Sequence, residues 1–158
     1  MVRVLFVCLG NICRSPTADG VFQKQVADAG LSHRIVVDSA GTAGWHQGRA
    51  PDPRTVAAAA RRGFDLTCLR ARQVKRSDFD EFDYILAMDE ENLADLSLLC
   101  PLDFAGHMGL FLNFGQQKQH ISVPDPYHGG PAGFELVLDL VEEASRGLLD
   151  AICARHKL

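Results

Sequence analysis

Val2-Arg-Val-Leu-Phe-Val-Cys8, continuing into Leu9-Gly-Asn-Ile-Cys-Arg14-Ser15-Pro16, decides the architecture of this chain. The first seven residues are rich in β-branched and aromatic side chains and read as a buried strand. Ser15-Pro16 marks a helix start, with Ser15 as N-cap and a proline at the first helical position. A helical pattern then runs from Pro16 to Ala29. A strand, a short loop and a helix in that order open an alternating α/β chain.

The rest of the sequence keeps the alternation. Ile35 to Asp38 is a second strand, Phe82 to Met88 a third, and Gly106 to Leu112 a fourth with little β-branching. Asp52-Pro53 repeats the cap-and-proline signal before the alanine run Ala57 to Ala60, and Asp89 caps a helix over Glu90 to Leu99. Phe134, Val137, Val141, Ala144, Leu148 and Ile152 recur at helical spacing and predict a long amphipathic C-terminal helix. The expected fold class is α/β, a four-stranded parallel sheet flanked by helices on both faces, in one domain over residues 1–158. In such sheets ligands bind beyond the carboxyl ends of the strands, where Cys8 stands.

The bulk numbers narrow the function classes. The chain has 158 residues, 47% hydrophobic and 23% charged, with a net charge of −4, which gives no reason to expect nucleic acid or a membrane as partner. The apolar run from Val4 to Leu9 is too short for a membrane span. Five cysteines in a chain of this length do not make a disulfide scaffold, the odd count leaves a thiol over, and a reducing cytoplasm is the simpler location. Cys8 and Cys13 lack the second ligand pair that a zinc site needs, so no metal is expected.

Attraction for an anion must therefore be local, and the loop after the first strand supplies it. Such a loop can turn successive backbone N–H groups toward one point, a nest for an anion. Gly10 and Asn11 are residue types suited to the positive φ angles a nest needs. The helix beginning near Ser15 adds its positive dipole end. Helix N-termini and cationic neighbours favour the thiolate form of a cysteine, which makes Cys8 a candidate nucleophile. Arg14 offers a planar fork for two oxyanion oxygens, and Ser15 can hydrogen-bond the sulfur. A proton donor must come from elsewhere in the chain. Asp52 is spoken for as an N-cap, whereas Asp125 precedes Pro126-Tyr-His-Gly-Gly130, where no helix needs capping. Asp125 is the better candidate acid.

Val4-Leu-Phe-Val-Cys-Leu-Gly-Asn-Ile-Cys-Arg-Ser-Pro16 resembles the signature of the low-molecular-weight protein tyrosine phosphatases almost residue for residue. Asp38-Ser-Ala-Gly-Thr42, Trp45 to Arg54, Ala71-Arg-Gln-Val74, Ala87 to Leu93 and Asp125-Pro-Tyr127 match further landmarks in family order. The resemblance implies hydrolysis of a phosphotyrosine-containing protein through a phosphocysteine on Cys8, with Arg14 as phosphate clamp, Asp125 as general acid and base, and no cofactor. It also implies that Leu9, Gly10, Asn11, Ile12, Cys13 and Ser15 contact substrate. Trp45, which on general grounds would be a packing anchor, becomes one wall of an aryl slot, and Tyr127 another. Cys13 is either a packing residue or, as in relatives, a thiol that traps oxidised Cys8 as a disulfide. Some members carry a histidine just before the x-Ala-Arg-Gln segment that helps hold the loop asparagine. Leu69 stands there, so Asn11 and Ser39 are expected to sit in a reduced polar network.

Two rivals share the scaffold. An arsenate reductase needs two further cysteines as a disulfide relay, and Cys68 and Cys100 form no compact pair in sequence. A phosphoprotein-binding module would need no intact Cys8, Arg14 and Asp125.

Overall fold

The computed structural model describes residues 1–158. Its elements are β1 (Val2–Cys8), α1 (Arg14–Asp28), β2 (Ile35–Gly41), α2 (Pro53–Arg61), α3 (Asp78–Glu81), β3 (Tyr84–Ala87), α4 (Glu90–Leu99), β4 (His107–Leu110), a 3₁₀ turn (Phe111–Phe114) and α5 (Pro131–His156). The strands run in the order β2-β1-β3-β4 with every neighbouring pair parallel. The α/β expectation therefore holds. No helix is long and apolar enough to cross a membrane.

β1 is central and buried on both faces, which is why it reads as a continuous apolar run. Its alternation places Val2, Val4, Phe6 and Cys8 on the face covered by α1, α2 and α5. Leu5 and Val7 point to the other face, against Phe79 of α3 and Leu96 of α4. Phe6 anchors the first face, edge-on to Phe22 at 5.7 Å and to Phe111 at 4.9 Å. Pairs of this kind add about 0.5–1.5 kcal/mol each beyond their burial. Cys8 ends the inward-facing row, so its thiol emerges on the side where α1 begins.

Several boundaries differ from those read in the sequence. β2 extends past Asp38 through Ser39, Ala40 and Gly41, because these pair with Phe6, Val7 and Cys8 of a strand already fixed by its core face. β3 is trimmed to four residues, and the fourth strand stops at Leu110 and tightens into the 3₁₀ turn. The C-terminal helix is as expected, with all six of its periodic apolar residues buried. Ser15 is not the N-cap of α1. Cys13 occupies that position, Arg14 opens the helix, and no side chain caps it. Ser15 instead turns its hydroxyl toward Cys8, and Pro16 is tolerated because first-turn N–H groups have no intrahelical partner.

The connections after β1 and β3 leave toward opposite edges of the sheet, which opens a crevice between them. The residues singled out above converge on that crevice.

Candidate active site

The loop between β1 and α1 is held from outside by its carbonyls. The oxygens of Cys8, Leu9 and Ile12 accept from the backbone N–H groups of Thr42, Ala43 and Asp52, each at 2.9 Å. The Cys13 carbonyl accepts from the Thr17 hydroxyl at 2.7 Å. With the carbonyls drawn outward, the N–H groups of Gly10, Ile12 and Cys13 find no acceptor in the protein. Unpaired amides of this kind are rare in folded proteins, and a run of them in one short loop is the mark of an anion nest. Asn11 takes the left-handed conformation, with φ of 58°. Gly10 does not. A Cβ there would come within 3.0 Å of the His46 ring, so that ring would have to yield to any side chain at this position.

Cys8 lies at the centre of this loop. Its Sγ accepts from the Asn11 N–H at 3.3 Å and lies 3.0 Å from the Ser15 hydroxyl. The Asn11 side-chain amide donates to Ser15 Oγ at 2.7 Å and to Ser39 Oγ at 3.0 Å. Because Asn11 already occupies a lone pair of Ser15, the single hydroxyl hydrogen of Ser15 has two acceptors within reach, the sulfur at 3.0 Å and, more distant, the Ala40 carbonyl at 3.4 Å. The third corner of the network is the Arg72 backbone N–H, which donates to Asn11 Oδ1 at 3.0 Å. Leu69 therefore does not leave Asn11 short of partners, contrary to the expectation from sequence. Arg72 is itself fixed by a cage of two carboxylates, with Asp38 at 3.1 Å and the buried Asp78 at 3.0 Å.

Arg14 is 3% exposed, an unusual place for a guanidinium. Its Nη1 donates to Asp89 Oδ2 at 2.6 Å and to the Val123 carbonyl at 3.1 Å. Asp89 does two jobs with one carboxylate, since its Oδ1 also caps α4 by accepting from the Asn92 N–H at 2.7 Å. The Nε and Nη2 edge makes no hydrogen bond to protein and remains available for a bidentate grip. Burial pushes the Arg14 group down, but the negative charge of Cys8 and the bond to Asp89 outweigh it and hold it above its ordinary value.

Asp125 reaches the same place from the far end of the chain. Val123 is pinned by Arg14 and by its own N–H to the Met88 carbonyl at 2.8 Å. Two residues on, Asp125 Oδ2 lies 3.8 Å from Arg14 Nη2 with its side chain 47% exposed. Its Oδ1 accepts from the Tyr127 N–H. Asp52 is placed differently. It is buried, absent from the cleft, caps α2 through the Arg54 N–H, and takes two bonds from the Arg54 guanidinium. Those bonds, led by the guanidinium, hold its carboxyl below the usual range despite partial burial.

A cleft of about 220 Å³ opens above Cys8, lined also by Leu9, Ile12, Cys13, Trp45 and Tyr127 on its apolar side. Gly10, Arg14 and Asp125 line it too, with His46 and His128 at its mouth. Asn11 and Ser15 stand behind the lining, joined to Cys8 by hydrogen bonds rather than open to the cleft. Trp45 is 71% exposed, so it is no packing anchor. Burial raises the Cys13 thiol to about 12. Sequence reasoning gave Asp89 only its capping role and assigned none to Val123 or Arg72. The Asp89 signal was there in the run Ala87-Met-Asp-Glu-Glu-Asn-Leu93, but no local pattern could reveal its link to Arg14.

Residues 3–158 match the family described as low molecular weight phosphotyrosine protein phosphatase. A low molecular weight protein-tyrosine-phosphatase of Streptomyces coelicolor is 46% identical over 153 residues, covering 95% of this chain and 93% of the relative. The crystal structure of a protein tyrosine phosphatase from Entamoeba histolytica superposes with a TM-score of 0.93 at 38% identity, covering all of both chains. That of YfkJ from Bacillus subtilis gives 0.92 at 40% identity, covering 98% of this chain and 96% of the other. With the family match running from the first strand to the end of α5, the chain belongs to the low molecular weight phosphotyrosine protein phosphatases.

Proposed function

We propose that this protein hydrolyses phosphotyrosine in protein substrates, and small aryl phosphates, through a phosphocysteine intermediate on Cys8. The observation that carries the reading is the loop layout. The unpaired amides of Gly10, Ile12 and Cys13 and the open edge of Arg14 surround one thiol at the base of a cleft with aromatic walls. The Cys8 thiolate attacks phosphorus, the bond to the aryl oxygen breaks, and Asp125 gives its proton to that oxygen. Water then attacks the phosphocysteine, Asp125 takes the proton, and the S–P bond breaks to return the thiolate. Ser15 and the Asn11 N–H are placed to stabilise the sulfur as it leaves.

The rival readings have less support. Leu66 and Leu69, either side of Cys68, pack on the face of α1 and α5, while Cys100 packs on the face of α4. A disulfide relay from Cys8 through both would have to cross the sheet. A silent binding module has no use for a carboxylate poised at 3.8 Å from Arg14. The deciding experiment is turnover of p-nitrophenyl phosphate in the presence of a chelator, with no thioredoxin or other reductant couple. Multiple turnover is the expected result, and stoichiometric binding without release of phosphate would refute the hydrolase reading.

A further inference from the structure

We infer that Arg54 is a positioning residue that holds Tyr127 in place as a wall of the aryl slot, and so sets affinity for the ring of the substrate rather than for its phosphate. The inference rests on the reading of the cleft as an aryl phosphate site.

The segment that carries Tyr127 is poorly held by its own hydrogen bonds. Val123 is tied to Met88 and Arg14, but beyond it the bonds are local. The Tyr127 N–H goes to Asp125 and the Gly129 N–H to the Pro126 carbonyl, and Gly129-Gly130 follow. Tyr127 is 40% exposed, and its hydroxyl makes no hydrogen bond. The ring position must therefore be set from outside the segment. Two contacts do so. The His128 ring stands edge-on at 4.9 Å, but it belongs to the same exposed loop. The Arg54 guanidinium lies 5.3 Å from the Tyr127 ring centroid and 4.9 Å from that of Phe134, within the range where a cation is attracted to a ring face.

Arg54 is a firm anchor because its own placement is determined by buried structure. Its Nε and Nη2 donate to the two oxygens of Asp52 at 3.0 and 2.8 Å, a fork that fixes the guanidinium plane. Asp52 is buried, caps α2 and donates its N–H to the Ile12 carbonyl in the cradle loop. Phe134 is buried in the first turn of α5. The Tyr127 wall is thus referenced to the same loop that holds the phosphate. Arg54 does not line the cleft, so it acts through Tyr127 and not by touching substrate.

Binding can be read without turnover, because Trp45 is the single tryptophan and lines the cleft. Its fluorescence reports the Kd of a non-hydrolysable aryl phosphonate and, separately, of inorganic phosphate. Arg54→Met should weaken the aryl phosphonate roughly three- to tenfold and leave inorganic phosphate unchanged. Arg54→Lys, which keeps a cation beside Asp52 but loses the fork, should fall between, and it carries the comparison if the Met variant fails to fold. In a Tyr127→Ala background, Arg54→Met should have no further effect on the phosphonate. Equal weakening of both anions would make Arg54 a plain electrostatic attractor and overturn the inference. So would an unchanged phosphonate Kd, or a full additional effect without Tyr127. A wild-type protein that binds the phosphonate but releases no phosphate from p-nitrophenyl phosphate would sink the hydrolase reading while leaving this test intact.

Discussion

The two sides of the cleft are built by opposite means. On the side proposed for phosphate, Cys8, Asn11, Arg14 and Ser15 are each at most 3% exposed and joined by short bonds to one another and to residues remote in sequence. On the side proposed for the aryl ring, Trp45 is 71% and Tyr127 40% exposed, and the bonds of the Tyr127 loop beyond Val123 are local. Charge development at phosphorus rewards donors that are already in place, which a buried network can guarantee. A flat ring needs only apolar surface, and loops provide that while remaining free to vary. Substitutions on the first side should therefore change rate, and those on the second should change affinity.

The largest effect tests the centre of the buried side. Cys8→Ser should fold and still bind phosphate, yet show no turnover, since a serine hydroxyl here stays protonated and a poor nucleophile. Residual activity above a few per cent of wild type would break the phosphocysteine mechanism. Next comes the one chemical group on the exposed side. Asp125→Ala should slow phosphotyrosine peptides by about a hundred- to ten-thousandfold, and an aryl phosphate with an electron-poor leaving group far less. Its control is Asp52→Ala, which should cost about 0.5–2 kcal/mol of stability as a lost cap without altering leaving-group sensitivity. If the two exchange behaviour, the proton comes from Asp52.

Arg14→Lys separates geometry from charge. Loss of the free Nε and Nη2 edge should reduce kcat by roughly a hundredfold or more, comparable to removing one oxyanion donor. Near-normal kcat would mean that the fork is dispensable and that charge alone attracts the phosphate. The smallest expected effect concerns a buried carboxyl behind the cradle. Asp19 is 2% exposed and hydrogen-bonded to Gln23, and burial raises it from 3.8 to about 6. Between those values the folded protein holds a proton that the unfolded chain has released, so this group's contribution to stability is lost as pH rises from about 4 to about 6. Asp19→Asn should remove that loss. Urea titrations should show the variant gaining about 1–3 kcal/mol on wild type between pH 4 and pH 7. Parallel stabilities at the two pH values would mean that Asp19 ionises freely in the fold.

Legibility in the sequence followed the distance over which each feature is determined. β1, the caps at Asp52 and Asp89 and the buried stripe of α5 were readable because each depends on residues within a turn or a strand of one another. The extension of β2 to Gly41 was not, since Ser39, Ala40 and Gly41 have weak strand preference and are recruited by pairing with β1. Ser15 was misread as a cap because Ser-Pro is a sound local signal, overridden here by a sulfur and an asparagine waiting for its hydroxyl. The positive φ expected of Gly10 belongs to Asn11 alone, and the close neighbour of Gly10 is the His46 ring, 36 positions along the chain.

By itself the sequence determined the cradle, because Cys8, Asn11, Arg14 and Ser15 lie within eight residues and a strand-loop-helix connection leaves their backbone little choice. Only the tertiary structure decided what holds that cradle. Asp89 meets Arg14 across 75 positions, the Val123 carbonyl across 109, and Arg72 meets Asn11 across 61. Two of these three contacts use a backbone group, which any residue carries, so no side-chain pattern announces them. They exist because parallel strands bring the ends of β1, β2 and β3 to one edge of the sheet, where chain segments far apart in sequence must share their hydrogen bonds.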